Sequence, residues 1–306
     1  MKLFTTLAMG LLLGTCLTVS AQTPSDAQMM KKREACIAVI YERGSFDQYW
    51  EGTFLRSNET IATVKRMSVG PMIAVGILDQ LNFYIGVPYV QTESTEPNGG
   101  QLQGVKGFQD LSIALKYRAV NKEMGKGKLS AYVSTGFATP ITNYLSDYRP
   151  YSIGNGTDEL SVRGIVQYKF DMGLYVRALG GHLFRGQTEV ERDYYYNNGS
   201  YYTTWMDVPS ANEFSGVVGF WFFDNSLKIE ASYYKLASTS GDDIRKYNAA
   251  QPTNKVVFDQ VGGSIQYFTK KVKGLGLLAY YNQMLNGRNM GKVTSFGVGG
   301  TYQFSF

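Results

Sequence analysis

The sequence predicts an all-β fold, a transmembrane antiparallel up-and-down β-barrel of about 12 strands that follows a cleaved signal peptide. Three observations lead to this prediction. The chain starts with a basic and apolar leader, its body alternates apolar and polar residues, and short turns alternate with long polar links. The predicted domains are a signal peptide (1–21), a periplasmic N-terminal segment (22–35) and an outer-membrane barrel (36–306).

The leader has the parts of a secretory signal. Lys2 supplies a positive charge, residues 3–18 are apolar or small, and Val19-Ser20-Ala21 has the small residues of a cleavage site. Cleavage is therefore expected near Ala21, with Gln22 as the first mature residue. Beyond the leader, no apolar run approaches the roughly 18 residues of a transmembrane helix. The mature chain is then either soluble or crosses a membrane as strands, and in lipid only a closed barrel satisfies every strand hydrogen bond.

Cysteine and histidine are scarce. The chain has two Cys and one His beside 23 Tyr and 34 Gly. If Cys16 leaves with the leader, Cys36 is unpaired, which excludes an internal disulfide, and we expect it to point from a strand into an apolar surface. The alternative is lipidation of Cys16, because Leu13-Gly14-Thr15-Cys16 is close to a lipobox.

The strands are identified by alternation with period 2, which places apolar side chains outward and polar ones inward. In the last strand, for example, Phe296, Val298 and Tyr302 alternate with Ser295, Gly297 and Gln303. A soluble β-sandwich would show the same alternation. The predicted strands lie near 36–44, 60–78, 81–90, 107–119, 128–138, 158–170, 173–185, 212–223, 227–237, 255–268, 275–285 and 292–306.

The connections favour a membrane barrel over a sandwich. Tight turns such as Asp79-Gln80 and Asp171-Met172 alternate with long polar links at 45–59, 91–106, 139–157, 186–211 and 238–254. Short periplasmic turns and long external loops are typical of outer-membrane barrels. Aromatic residues also gather near the strand ends, as interfacial girdles require: Phe83, Tyr89, Tyr117, Phe137, Tyr168, Phe170, Phe184, Phe220, Trp221 and Phe222.

The two ends of the mature chain carry further predictions. The C-terminal strand ends in Phe304-Ser305-Phe306, which resembles the signal by which the barrel-assembly machinery recognises outer-membrane proteins. Residues 22–35 are polar and contain Lys31-Lys32-Arg33-Glu34. They are expected to form a flexible or helical periplasmic lead-in, and the alternative is a plug that enters the lumen from below.

The inward faces predict the lumen lining. Six basic and two acidic groups, interleaved with tyrosines, favour anionic or aromatic solutes in a narrow or gated path. The alternative is a closed lumen in which these charges pair with one another. The residues are Asp110, Lys116, Arg118, Arg163, Lys169, Arg177, Lys228 and Glu230, with Tyr84, Tyr132, Tyr175, Tyr234 and Tyr280.

The link 186–211 is rich in aromatic residues. Asn198-Gly199 between β-favouring runs predicts a hairpin with a type I′ turn. The aromatic side chains could stack on a ligand or pack against neighbouring loops, and we expect the packing. They are Tyr194, Tyr195, Tyr196, Tyr201, Tyr202 and Trp205.

Catalysis is not expected. His182 is the one histidine, on a predicted outward face, and Phe184 stands where the outer-membrane phospholipases have a serine. The sequence has no hydrolase, metalloprotease, nucleotide-loop or paired-cysteine motif, so we expect neither an enzyme nor a cofactor or metal.

One segment carries a family resemblance. Gly104-Val105-Lys106-Gly107-Phe108-Gln109-Asp110-Leu111, continuing to Leu115-Lys116-Tyr117-Arg118, resembles outer-membrane barrels assigned to the meta-pathway of phenol degradation, distant relatives of the long-chain fatty-acid transporters. The resemblance implies uptake of small hydrophobic or aromatic compounds. We therefore expect a transporter or narrow channel whose partners are outer-membrane lipid and a small solute, without nucleic acid. The alternatives are a structural or surface-binding barrel with a closed lumen and, third, a barrel hydrolase.

Overall fold

The computed structural model describes residues 23–98, 102–244 and 250–306. The predicted signal peptide, its cleavage near Ala21 and the alternative at Cys16 fall outside these ranges. Within them, all regular secondary structure is β. No helix in these ranges is long and apolar enough to cross a membrane.

Twenty strands lie in the described residues. They are β1 (Glu34–Phe46), β2 (Gln48–Glu51), β3 (Phe54–Ser57), β4 (Val64–Leu78), β5 (Leu81–Gly86), β6 (Tyr89–Asn98), β7 (Leu102–Phe108), β8 (Asp110–Glu123), β9 (Gly127–Pro140), β10 (Glu159–Phe170), β11 (Leu174–Arg185), β12 (Gln187–Glu189), β13 (Tyr195–Tyr196), β14 (Ser200–Tyr201), β15 (Trp205–Asp207), β16 (Ala211–Phe222), β17 (Leu227–Ser238), β18 (Val257–Phe268), β19 (Leu275–Arg288) and β20 (Thr294–Ser305).

The main sheet closes on itself. β1 pairs antiparallel with β20 on one side and with β4 on the other, so the first and last strands of the chain are neighbours. β5 and β6 both pair with β4 and together form the third position around the ring, and β7 and β8 together form the fourth. Counted this way, the described residues form a closed antiparallel barrel of 12 strands, which confirms the predicted fold class.

The third and fourth positions are longer than predicted. The segment 91–106 was predicted to be a polar link, but β6 and β7 pair across it from Tyr89 opposite Phe108 to Asn98 opposite Leu102. The link is therefore a hairpin that continues the barrel wall beyond β5 and β8. The prediction was wrong because this hairpin carries polar residues on both faces, so the period-2 pattern is lost.

Burial along the strands follows the predicted alternation. In β20, Val298 and Tyr302 are exposed on the outer face, whereas Thr301 and Gln303 are buried inside. Cys36, which was expected at an apolar surface, is buried on the inner face beside Met30. An outer face of apolar side chains and an inner face of polar ones are what a barrel in lipid requires.

Trp221 is a correction to the predicted aromatic girdle. Its parity in β16 is that of the buried Val217, and its ring stacks on Phe268 with the ring centroids 5.9 Å apart. The ammonium groups of Lys169 and Lys228 lie 5.5 and 5.7 Å from the Trp221 ring, within reach of cation–π attraction. Trp221 therefore belongs to the lumen wall and not to the membrane interface.

Inward glycines make room for inward tyrosines. Gly297 of β20 lies opposite Tyr280 of β19, and a Cβ on Gly297 would be 2.2 Å from the Cζ atom of the Tyr280 ring. The Tyr280 hydroxyl donates to Glu42 Oε2 at 2.5 Å across β20. The missing side chain at Gly297 thus lets one tyrosine connect β19 to β1.

Gly297→Val is expected to lower the free energy of unfolding by about 2 kcal/mol, because the added side chain displaces the Tyr280 ring from a packed position. The measurement is urea-induced unfolding of the refolded barrel, followed by tryptophan fluorescence. Gly300→Val in the same strand is the control, because the nearest atom to a Cβ there is 3.9 Å away. Equal stability of the two variants would contradict the prediction.

Candidate functional site: the barrel interior

Residues 23–33, called the plug below, lie inside the barrel. Lys116 of β8, which has no solvent exposure, holds the plug by its ammonium group. It donates to the backbone carbonyl oxygens of Thr23 at 2.7 Å and Asp26 at 3.2 Å, and it forms an ion pair with Asp26 Oδ1 at 2.8 Å. All three acceptors belong to the plug, so Lys116 anchors it to the wall.

Apolar contacts complete the anchoring. Ala27 packs with Tyr132, Ile165 and Leu179, and the Tyr132 hydroxyl donates to the Ala27 carbonyl oxygen at 2.8 Å. The plug therefore touches the wall through β9, β10 and β11 as well as β8. A second cluster surrounds Met30 and contains Cys36, Ala74, Tyr84 and Ala114.

The plug enters the barrel at the end with the tight turns. The Arg33 backbone N–H donates to the Gly76 carbonyl oxygen at 3.1 Å, and the Lys32 N–H donates to Asp79 Oδ1 at 2.9 Å in the turn after β4. The Phe306 N–H donates to the Arg33 carbonyl oxygen at 3.0 Å, so the C-terminus meets the same end. Of residues 22–35, the part from Thr23 to Met30 therefore lies in the lumen, Lys31 to Arg33 lie at the turn end, and Glu34 and Ala35 already belong to β1.

Charged side chains of β10, β11, β16 and β17 line the cavity beside the plug. We call Arg163, Arg177, Glu213, Lys228 and Glu230 the charged row. Arg163 pairs with Glu213, Nε to Oε1, at 2.5 Å. Glu230 pairs with Arg177 at 3.2 Å and with Lys228 at 3.5 Å.

Tyrosine and serine hydroxyls donate hydrogen bonds to the two carboxylates of the charged row. Tyr175 donates to Glu230 Oε1 at 2.6 Å, and Ser264 donates to Glu230 Oε2 at 3.2 Å. Tyr234 donates to Glu213 Oε2 at 3.1 Å. The row thus joins strands β10, β11, β16, β17 and β18 through the lumen, and the predicted lining residues Arg163, Arg177, Lys228, Glu230, Tyr175 and Tyr234 come together in it.

The basic excess predicted for the lumen is largely neutralised. The sequence prediction did not include Asp26 or Glu213, which are the partners of Lys116 and Arg163. Glu213 was detectable, because it alternates with the outward Phe214 within a predicted strand. Asp26 was not detectable from the sequence, because its position depends on how the polar N-terminal segment folds into the lumen.

The remaining predicted residues lie outside the charged row. Arg118 donates to the Asp79 carbonyl oxygen at 3.0 Å at the turn end, and Lys169 donates to Asn225 Oδ1 at 3.0 Å. Asp110 lies at the loop end of the barrel, where its Oδ1 accepts a hydrogen bond from the Tyr144 hydroxyl at 2.5 Å.

Four cavities succeed one another inside the barrel, and each shares wall residues with the next. The first, of about 470 Å³, lies among the long loops and shares Arg149 and Ser152 with a second of about 360 Å³. The second shares Ala138 and Glu159 with a third of about 160 Å³. Arg163 joins the third to a fourth of about 400 Å³, which lies between the plug and the charged row.

The long link after β11 forms a hairpin, as predicted, but with a different turn. β13 and β14 pair with Tyr195 opposite Tyr201, which leaves three residues, 197–199, at the tip. Only Asn198 among these has a positive φ, 54°, whereas a type I′ turn needs two such residues.

The aromatic side chains of this hairpin contact one another. The rings of Tyr195 and Tyr201 stack with their centroids 5.0 Å apart. The ring centroids of Tyr194 and Tyr202 are 5.1 Å apart. Tyr195 is buried with Val190 and Met206, and Tyr202 is the most exposed of the set. Tyr196 is half-buried and Trp205 exposed.

His182 faces outward near the loop end of β11. Its Nδ1 lies 2.7 Å from Asn212 Oδ1 on the neighbouring strand, and its ring meets Phe184 edge-on with centroids 4.4 Å apart. Both partners are on the outer face, so the ring belongs to the barrel surface and does not line the cavities.

Comparison with solved structures places the fold among outer-membrane channels. The COG4313 outer membrane channel from Pseudomonas putida F1 is similar with a TM-score of 0.73 and 10% identity, covering 93% of this chain and 100% of that chain. The translocator domain of the autotransporter NalP from Neisseria meningitidis is structurally less similar, with a TM-score of 0.46, 12% identity and 90% of each chain covered. The deltaS2 mutant of the TodX monoaromatic hydrocarbon channel has a TM-score of 0.43 and 10% identity, covering 90% of this chain and 91% of that chain.

No protein-family profile matches the sequence, and no curated protein sequence matches it. The resemblance of residues 104–118 to the phenol-degradation barrels therefore stays a prediction. The likeness to the Pseudomonas channel shows the fold, and with the apolar outer face it leads to one conclusion: the chain has the fold of an outer-membrane channel.

Proposed function

We propose that this protein is a narrow, gated channel of the outer membrane for small solutes, and that the plug is its gate. The single observation that carries the proposal is the position of the plug inside the lumen, beside the cavity that it shares with the charged row. The plug is held by one ion pair, by hydrogen bonds and by the small apolar clusters at Ala27 and Met30, and it is not paired into the sheet. Such a segment can detach at a lower free-energy cost than a strand of the barrel wall.

The wall supports a membrane location. The outer face is apolar from β1 to β20, and the closed ring leaves no strand edge that lipid would have to solvate. The C-terminal Phe306 is exposed at the turn end of the barrel, and Tyr302 stacks on Phe304 with centroids 6.1 Å apart. We propose that this end of β20 is the element the barrel-assembly machinery recognises.

A barrel with a permanently closed lumen is the second candidate. It is favoured by the pairing of the charged row, since each basic group of the row contacts a carboxylate. Such a barrel would act through its external loops, where Phe54 and Tyr202 are the most exposed aromatic side chains. Catalysis is not part of either proposal, because the residue beside His182 where an outer-membrane phospholipase has its serine is Phe184.

Flux through the refolded protein in liposomes separates the two candidates. We expect chloride and small organic ions to cross, with single-channel currents in planar bilayers well below those of an open 16-stranded porin, since a 12-stranded barrel is narrower and the plug occupies part of it. Heat-denatured protein is the control. A refolded barrel that passes no ion at any voltage would overturn the channel proposal in favour of the closed lumen.

A further inference from the structure

The second cavity, of about 360 Å³, has unusual charge chemistry. It lies in the loop half of the barrel and is lined by Arg66 of β4, Arg149 of the 141–158 loop, and neutral groups that include Gln109, Ser152 and Asn155. Asp110 and Glu159 also line it. The two arginine side chains that face this cavity need acceptors, because a guanidinium group withdrawn from water is costly unless it is paired.

Neither arginine has a carboxylate at ion-pair distance within the part of the chain that the structure describes. Arg66 Nη2 donates to Gln109 Oε1 at 3.2 Å and to the Ile153 carbonyl oxygen at 3.1 Å, both neutral acceptors. Arg149 Nη2 donates to Asn155 Oδ1 at 2.7 Å. The Nε atom of Arg149 is fully buried and has no hydrogen-bond partner in the described residues.

The acidic groups of the cavity are engaged elsewhere. Asp110 Oδ1 accepts from the Tyr144 hydroxyl, and Glu159 Oε2 pairs with Arg185 Nε at 2.8 Å. Arg185 also lies near Arg149. Burial of the Arg149 guanidinium lowers its pKa, and the positive charge of Arg185 lowers it further, to about 10. Three guanidinium groups thus face the two carboxylates that line the cavity, and Glu42 is a further negative charge near Arg66.

The first cavity, of about 470 Å³, adjoins this one at Arg149 and Ser152. Apolar groups make up the larger part of its wall, with Phe46, Ile61 and Met290 among them, beside the polar Asn58 and Asn289. Both cavities fall within the roughly 300–1,000 Å³ of small-ligand sites. An anion receptor next to an apolar chamber matches a ligand with one charged end and one apolar end.

We propose that the two cavities form a binding site for a small organic carboxylate, with the carboxylate between Arg66 and Arg149 and the apolar group in the first cavity. Guanidinium and carboxylate groups match in geometry, and a charge-assisted pair is roughly twice as strong as a neutral hydrogen bond. The site deepens the proposed channel function by naming a substrate class. Ligand binding at this site does not require channel activity, because a closed barrel could bind the same ligand from outside.

Equilibrium binding tests the site without any flux. The full chain in lipid nanodiscs is titrated calorimetrically with benzoate, with benzamide as the neutral analogue and acetate as the carboxylate without the apolar group. We expect benzoate to bind at least tenfold more tightly than either. Benzamide binding as tightly as benzoate would overturn the anion receptor, and acetate binding as tightly would overturn the role of the apolar cavity.

Two variants tie the binding to the residues. Arg149→Gln and Arg66→Gln are each expected to weaken benzoate binding at least tenfold, and heat-modifiable migration on gels shows that each barrel is folded. Arg192→Gln is the control, because it removes an arginine from the same group of loops, where Arg192 pairs with Asp147 at 3.0 Å, without touching either cavity. Unchanged affinity in both cavity variants would overturn the proposal, whatever the outcome of the flux experiments.

Discussion

Deletion of residues 23–32 is expected to raise the single-channel conductance several-fold. The plug contacts β8, β9, β10 and β11 through Lys116 and Ala27, and it contacts β1, β4 and β5 around Met30, so it fills part of the lumen. Without it, the cavity beside the charged row widens toward that wall. Barrels with more than eight strands have an interior that side chains alone do not fill, so the space becomes available to water and ions. The measurement is conductance of full-length and deleted protein in planar bilayers.

Point variants test the same gate without shortening the chain. Lys116→Met removes the ammonium group that three plug oxygens share and is expected to raise the open probability. Gly76→Val acts sterically, because a Cβ on Gly76 would lie 2.0 Å from the Lys31 carbonyl oxygen. Gly216→Val is the control, since a Cβ there meets no atom within 4 Å. If the deletion and both variants conduct as the full chain does, the plug is not the gate.

Glu230→Gln is expected to destabilise the barrel by about 3 kcal/mol, since removing one partner of a buried ion pair leaves its counterpart uncompensated. Here two cations, Arg177 and Lys228, lose their carboxylate, and the side chains of all three residues are largely buried. The adjoining cavity gives water some access, which keeps the expected loss at the lower end of the range for buried pairs. Unfolding in urea measures the loss.

The same variant changes the charge of the lumen. With Arg177 and Lys228 no longer neutralised, the reversal potential in a salt gradient should shift toward anion preference. Glu123→Gln is the matched control, because Glu123 is highly exposed and pairs with Lys128 across the turn between β8 and β9. Adding Lys228→Met to Glu230→Gln should restore part of the stability. Equal stability of the Glu230 and Glu123 variants would show that the row contributes no more than a surface pair.

Alternation was sufficient to predict the barrel strands, because in lipid one face of every strand must be apolar. Alternation does not identify strands in the part of the wall that extends beyond the lipid. The hairpin of β6 and β7 carries Gln91, Thr92, Glu93 and Ser94, and since water lies on its outer side no apolar residue is required there. Parity, applied consistently, would also have placed Trp221 in the lumen; its position near a strand end suggested the interface instead.

The candidate sites were less accessible to sequence reasoning. The plug is bound largely through backbone carbonyl oxygens, as at Thr23 and Ala27, and every residue type has a carbonyl oxygen. Arg149 lies in a long loop, where no periodicity relates it to Arg66 on β4. Their proximity depends on how the 141–158 loop folds into the barrel, which is set by many weak contacts. Arg163, Arg177, Lys228 and Glu230 of the row, with Tyr175 and Tyr234, could be predicted because strand parity alone places them, whereas Glu213 was missed although it has the same inward parity.

Closure between β1 and β20 makes the folding of this chain dependent on its last residues. Gln303 Nε2 donates to Glu34 Oε2 across a separation of 269 positions, and the register of the two strands continues from there to Ser45 opposite Thr294. Until β20 is in place, β1 and β19 both have an unpaired edge, the condition under which strands join foreign partners. Such long-range pairing is slow, since the entropy of closing the loop is lost before the contacts form. The plug is continuous with β1, so a chain that stops short of β20 has the plug attached to one of the two strands with an open edge.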